Sequence, residues 1–238
     1  MKIQNASNFI KTETMIVELE LASPDLKRTL EFYSGVLGLE VVERGAGKLA
    51  FQLGDTKLVF VDAEGVEPVG AEPVYHMAFD IPRNKLQEAF EWFAARVEVL
   101  LLPDGGHIMN FANWQAESFY FFDTTGNLLE CIVRHDQKEE ASGAFGAEQL
   151  LRVSELGIVT SHVPSLVEKL ETEHGLLPFV KQPVLENFAA IGNETGLLIL
   201  SQEGRNWFPT QLPAQSFYWK LQLSERKEDV GIILKSTK

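Results

Sequence analysis

The stretch Met15–Gly38, MIVELELASPDLKRTLEFYSGVLG, decides how the chain is read. Its first seven residues alternate, placing Val17, Leu19 and Leu21 on one face of a strand and Ile16, Glu18 and Glu20 on the other. One face therefore packs on a core and the other looks onto water or a polar cleft. Ser23 can then cap a helix with Pro24 in its first turn, and Leu26, Leu30, Tyr33 and Leu37 keep helical spacing until Gly38 stops it. LEVVERG, KLAFQL and KLVFVDA follow as short strand-like runs, parted by Gly45 to Gly47 and by the Gly54-Asp55 turn. The unit is strand, helix, three strands.

The same order returns further along. YHMAFDIP reads as a strand, a Pro82-led helix carries Leu86, Phe90, Phe93 and Val97, and VEVLLL, a Gly105-Gly106 turn, SFYFFD and LLECIV complete a second copy. A third starts at SELGIVTS, runs through a Pro164-led helix ending near Gly175, and closes with FAAIG and GLLIL around Gly192-Asn193. The spacing repeats: Gly38 − Glu18 and Gly175 − Glu155 are both 20, and Phe188 − Phe51 and Glu155 − Glu18 are both 137. A fourth copy begins at SFYWKLQL and breaks off at Lys238. The polar run HDQKEEASGAFG predicts a linker over 138–147, between a complete first domain, 1–137, and a second domain, 148–238, with an incomplete last module. The expected class is α+β, built from tandem βαβββ modules.

Composition bounds the function. With 238 residues, 45% hydrophobic and 23% charged, the chain has enough apolar content for a substantial core. A formal charge of −13 repels phosphate backbones and anionic membrane surfaces, so neither nucleic acid nor a membrane is an expected partner. Cys131 is the single cysteine, and no basic-then-apolar leader or long apolar run is visible, which together predict a cytoplasmic protein. No phosphate-binding glycine loop, Cys-x-x-Cys pair or Gly-x-Ser-x-Gly elbow occurs.

Three segments carry a family resemblance. PDLKRTLEFYSGVLGLEV, HMAFDIP and YFFDTTGNLLEC resemble the vicinal oxygen chelate superfamily of glyoxalases, bleomycin- and fosfomycin-resistance proteins and extradiol dioxygenases. The resemblance implies glyoxalase-like domains whose paired modules curl around a cleft holding one divalent metal. Carried over residue by residue, the family's metal positions fall on Glu18, His76 and Glu130. An imidazole and two carboxylates suit Fe, Mn, Zn or Ni and leave open positions for a substrate. The resemblance further implies a small-molecule substrate, such as an aromatic diol, in a dioxygenase or a lyase or isomerase reaction. The four-ligand glyoxalase pattern is not met, because LVFVDA offers Val59 or Phe60 where a further Glu would stand. A non-catalytic protein that sequesters a small molecule in the same cleft, as bleomycin-resistance proteins do, is the alternative.

Each candidate also has a structural reading. Glu18 could be the wetted face of an amphipathic strand, and His76 a satisfied core histidine. Glu130, apolar-flanked in LLECIV, would be costly to bury without a partner, which favours a ligand or catalytic role. Tyr120 is a candidate proton shuttle and His107 a weaker one, against the alternatives of a core phenol and a loop imidazole. Trp114 and Phe122 could wall a substrate pocket, and Glu20 and Asp80, which share strand faces with Glu18 and His76, could border it. The open edge left by the last module makes a homodimer possible.

Overall fold

The computed structural model describes residues 14–67, 72–225 and 228–236. The first module is β1 (Thr14–Ser23), a helix α1 (Leu26–Leu30) that continues as a π-helix over Glu31–Val36, then β2 (Glu40–Gly45), β3 (Lys48–Leu53) and β4 (Thr56–Asp62). Asp25, not Ser23, caps α1: its carboxylate accepts from the Lys27 and Arg28 amides, while the Ser23 hydroxyl is taken up by Thr29 and the Asp25 amide. The second module is β5 (His76–Asp80), α2 (Leu86–Ala94), β6 (Met109–Phe111), β7 (Ala116–Phe122) and β8 (Leu128–Arg134). Pro82 stands outside α2, and the expected VEVLLL strand is reduced to one bridge, Val99 to Phe121, on the edge that β6 continues. The third comprises β9 (Arg152–Thr160), α3 (Val163–His174), β10 (Phe188–Asn193) and β11 (Gly196–Gln202). His162 caps α3 by accepting from the Ser165 amide, with Pro164 in the first turn. Of the last module the described residues contain β12 (Trp219–Glu225) and β13 (Glu228–Lys235). No helix among the described residues is long and apolar enough to cross a membrane.

The strands form two sheets, ordered β13-β12-β1-β4-β3-β2 and β10-β11-β9-β5-β8-β7-β6. Within each of the first three modules the first strand runs parallel to the last, and modules join where two first strands meet antiparallel: β1 with β12, and β5 with β9. Module two therefore pairs with module three, and module one with the final fragment. This corrects the expected domains, because the segment 138–147 links the two halves of one sheet instead of separating two domains. Every module offers the same kind of free edge at its first strand, and residue patterning along a strand does not say which edge will meet it.

The two first strands share a defect that strict alternation misses. Opposite β12, the register shifts between Ile16 and Glu18, leaving Val17 as the extra residue; opposite β5, Glu155 and Val153 face consecutive residues and leave Ser154. Val17 and Ser154 are again 137 apart. The bulge flips the face midway, so Ile16 is fully buried with Leu19 and Leu21, not grouped with Glu18 as the alternation predicts.

Helices cover the convex, apolar faces. Tyr33 packs on Phe51 and Phe60 with ring centres 5.5 and 4.9 Å away, and Phe93 of α2 lies 5.5 and 4.7 Å from Phe119 and Phe121. The sheets are tied by reciprocal contacts between modules one and three. At one, the Thr56 hydroxyl donates to the Ile16 carbonyl (2.7 Å) and accepts from the Val153 amide (3.0 Å); at the other, the Thr195 hydroxyl donates to the Thr14 carbonyl (2.8 Å). The Asp55 amide donates to the Leu151 carbonyl at 2.8 Å, and Leu151 is the position 137 after Thr14.

Candidate metal centre

The second sheet brings three ligand-type side chains together from three neighbouring strands. His76 opens β5, Glu130 sits mid-way along β8 opposite Ala78, and Glu155 reaches the same spot from β9, also opposite Ala78. One donor atom from each lies within 4.8 Å of the others, and the three residues are 6, 4 and 3% exposed. At metal–ligand distances of ~2.0–2.2 Å, donors on opposite sides of an ion are about 4.2 Å apart, so small side-chain rotations close the set. Their individual poses suit coordination. The His76 Nδ1 lies 3.2 Å from the Leu128 carbonyl, which can only accept; a proton on Nδ1 leaves the Nε2 lone pair free, 3.6 Å from Glu130 Oε2. Tyr120 donates to Glu130 Oε1 at 3.1 Å, and Arg134 binds Glu155 Oε1, so in both acids one oxygen is anchored and the other is available.

Electrostatics point the same way. Burial drives the His76 pKa down to about 4, so the ring is neutral at ordinary pH. Burial, reinforced by the charge of Glu155, lifts Glu130 to about 8, while the Tyr120 hydroxyl pulls in the opposite direction. Burial also raises Glu155, with Arg134 working against it, and holds the Tyr120 phenol well above its usual range, so that it stays a donor. Beneath the set, Asp80 bridges two guanidiniums, at 2.7 Å to Arg134 and 2.9 Å to Arg152. Asp80 and Glu155 thus have cationic partners, whereas Glu130 is left holding a proton. A buried acid in that state is one a divalent cation can displace the proton from.

Above the three residues is a cleft of about 290 Å³. Trp207 lies over the His76 ring at 5.1 Å, Tyr120 and Trp114 flank it, and Ile199 occupies the position on β11 that corresponds to Glu130 on β8.

The residues singled out from the sequence separate accordingly. His76, Glu130, Tyr120 and Trp114 come together in this cleft. Asp80 is buried among the arginines and does not line it. Phe122 lies at the end of β7, 37% exposed, outside the cleft lining, and His107 bonds a loop carbonyl on another face. Glu18 and Glu20 are on the other sheet and are not part of the set. There Lys57 is 3.9 Å from Glu18 and 2.9 Å from Glu43, Lys48 is 3.8 Å from Glu20, and the Tyr218 hydroxyl donates to Glu20. The Lys57 hydrogen bond lowers the Glu43 pKa, and Glu43 raises that of Lys57, so lysines supply the positive charge on that face. Glu155 stands in its module where Glu18 stands in the first, and the offset of 137 marks it. Its closing acid, however, is contributed by module two. Trp207 and Arg205, on the loop between β11 and β12, carry no periodicity that would flag them.

Residues 15–131 match the family model described as the Glyoxalase/Bleomycin resistance protein/Dioxygenase superfamily. Among solved structures, a putative dioxygenase from Bacillus subtilis is similar over 94% of this chain and 84% of its own, at 16% identity and a TM-score of 0.59. Glyoxalase I from Zea mays is similar over 79% of this chain and 66% of its own, at 14% identity and a TM-score of 0.52. At those identities the likeness is one of fold. No curated protein matches the sequence.

Proposed function

Through residues 15–131 this chain belongs to the Glyoxalase/Bleomycin resistance protein/Dioxygenase superfamily, and on that footing we propose a metal-dependent enzyme acting on a small oxygenated molecule, with His76, Glu130 and Glu155 holding one divalent cation. The observation that carries this reading is the convergence of an Nδ1-anchored imidazole and two singly anchored carboxylates from three strands. Bound there, the cation supplies Lewis acidity to two adjacent oxygens of a ligand.

The chain's own residues have distinct tasks. Arg134 and Tyr120 each hold the non-ligating oxygen of an acid and so fix its angle. Ile199 offers no donor at the fourth protein position, which leaves room for the ligand's oxygens. Glu130 has to give up its proton to hold the cation, and Tyr120 fixes the oxygen that stays off it. Trp207 covers His76 and keeps water off that side.

The test is calorimetric titration of chelator-treated protein with Zn(II) or Mn(II). One ion per chain is expected, with affinity falling at least about a hundredfold in His76→Ala and in Glu155→Ala. No stoichiometric uptake would refute it. One observation favours sequestration without catalysis: Arg134 already neutralises Glu155 without any ion. Ligand affinity that survives chelation, with His76→Ala harmless, would establish that second reading.

A further inference from the structure

The loop between β11 and β12 carries a cation with no anion among the described residues to meet it. Arg205 lines the cleft, its guanidinium 4.7 Å from the centre of the Phe188 ring, and no carboxylate among the described residues pairs with it. The backbone around it is fixed. The Arg205 amide donates to the Gln202 carbonyl (3.1 Å), the Ala214 amide donates to the Arg205 carbonyl (2.8 Å), and Trp207 donates to the Leu212 carbonyl (2.9 Å). Partial burial lowers its pKa, which reflects charge withdrawn from water without compensation, although a guanidinium remains charged. Across the cleft, His76 is neutral and the walls are mostly aromatic or aliphatic.

We propose that Arg205 determines specificity by binding a carboxylate at the far end of a flat, largely apolar ligand whose paired oxygens lie at the His76, Glu130 and Glu155 end. A single guanidinium matches a single negative charge and takes a carboxylate through two parallel hydrogen bonds; the ring of Phe188 keeps its plane fixed. A cleft of about 290 Å³ suits a molecule built on one ring. Only the position of the paired oxygens rests on the metal-centre reading.

The experiment measures binding of 3,4-dihydroxybenzoate and 3,4-dihydroxyphenylacetate, each beside its methyl ester, to Zn(II)-loaded and to chelator-treated protein by tryptophan quenching. For at least one length the acid should bind about tenfold tighter than its ester to the loaded protein. Arg205→Met should bring that ratio to about one while moving the ester's Kd less than about twofold, and Arg205→Lys should retain part of the preference. An unchanged ester affinity shows that the variant is folded. Equal binding of acid and ester in the unaltered protein, an equal loss of both in Arg205→Met, or no binding of either acid up to millimolar concentration would overturn the proposal. Failure of Zn(II) to bind would remove the metal reading alone, because the acid-to-ester ratio of the metal-free protein still decides the role of Arg205.

Discussion

Glu130 ties metal uptake to pH. With its pKa near 8 in the metal-free chain, the acid must lose a proton before it can ligate. Apparent affinity should therefore rise about tenfold per pH unit up to roughly pH 8 and then level off, with close to one proton released per ion below that point. Calorimetry in buffers of differing ionisation enthalpy measures the release, and Glu130→Gln should abolish the slope along with tight binding. His76, neutral above about pH 4, adds nothing in this range. The same shift sets stability. The folded pKa lies above the unfolded value, so the contribution is full below about pH 4.5 and is lost as pH rises through about 8. Metal-free Glu130→Gln should then be the more stable form at pH 9, read as a higher urea midpoint, and should lose that advantage at pH 4. At this scale the family resemblance points to His76 and Glu130, and of the two only Glu130, an acid within an apolar strand, stands out by its own surroundings. The sequence is silent on Arg205, whose proposed role comes from the absence of a charged partner among the described residues.

Among the elements, β9 shows how closely the backbone constrains the cleft. A Cβ on Gly157 would lie 2.8 Å from the Trp207 ring and 3.2 Å from the His76 Cβ. Gly157→Val should therefore push Trp207 off His76, giving red-shifted tryptophan emission and ligand binding weakened by about tenfold, with the sheet intact by circular dichroism. Emission and affinity like those of the parent would show that the loop accommodates the side chain. The strands and helices themselves are largely readable from period and turn residues: Gly38 and Gly175, both with left-handed φ, end their helices where expected. The bulges are not readable. Val17 and Ser154 break alternation without any residue type that announces it, and the face of Ile16 is misassigned as a result.

For the whole molecule, the pairing of modules decides which acids can meet. Glu18, neutralised by Lys57 on the other sheet, should be dispensable: Glu18→Gln is expected to leave the metal stoichiometry at one and the affinity within about twofold, as titration would show. The clasp between modules one and three can be tested at Thr56, whose buried hydroxyl serves a carbonyl and an amide. Thr56→Val should cost about 2–3 kcal/mol in urea unfolding, because both backbone groups lose their partner. Module order and repeat length are visible in the offset of 137 residues, yet the offset fits several ways of joining equivalent edges. That is why the sequence reading closes the first domain at residue 137 and leaves Glu155 outside it. The observed pairing of β1 with β12 also bears on how the chain is made. Strand β1 is synthesised well before β12 and must wait for residues 219–225 before that neighbour emerges, whereas the strands around His76 and Glu155 can assemble once residue 202 is out. During that interval the β12-facing edge of β1 is uncovered, and the charged pairs of Glu18 with Lys57 and Glu20 with Lys48 put solvated side chains beside an edge where a second nascent strand would otherwise stick.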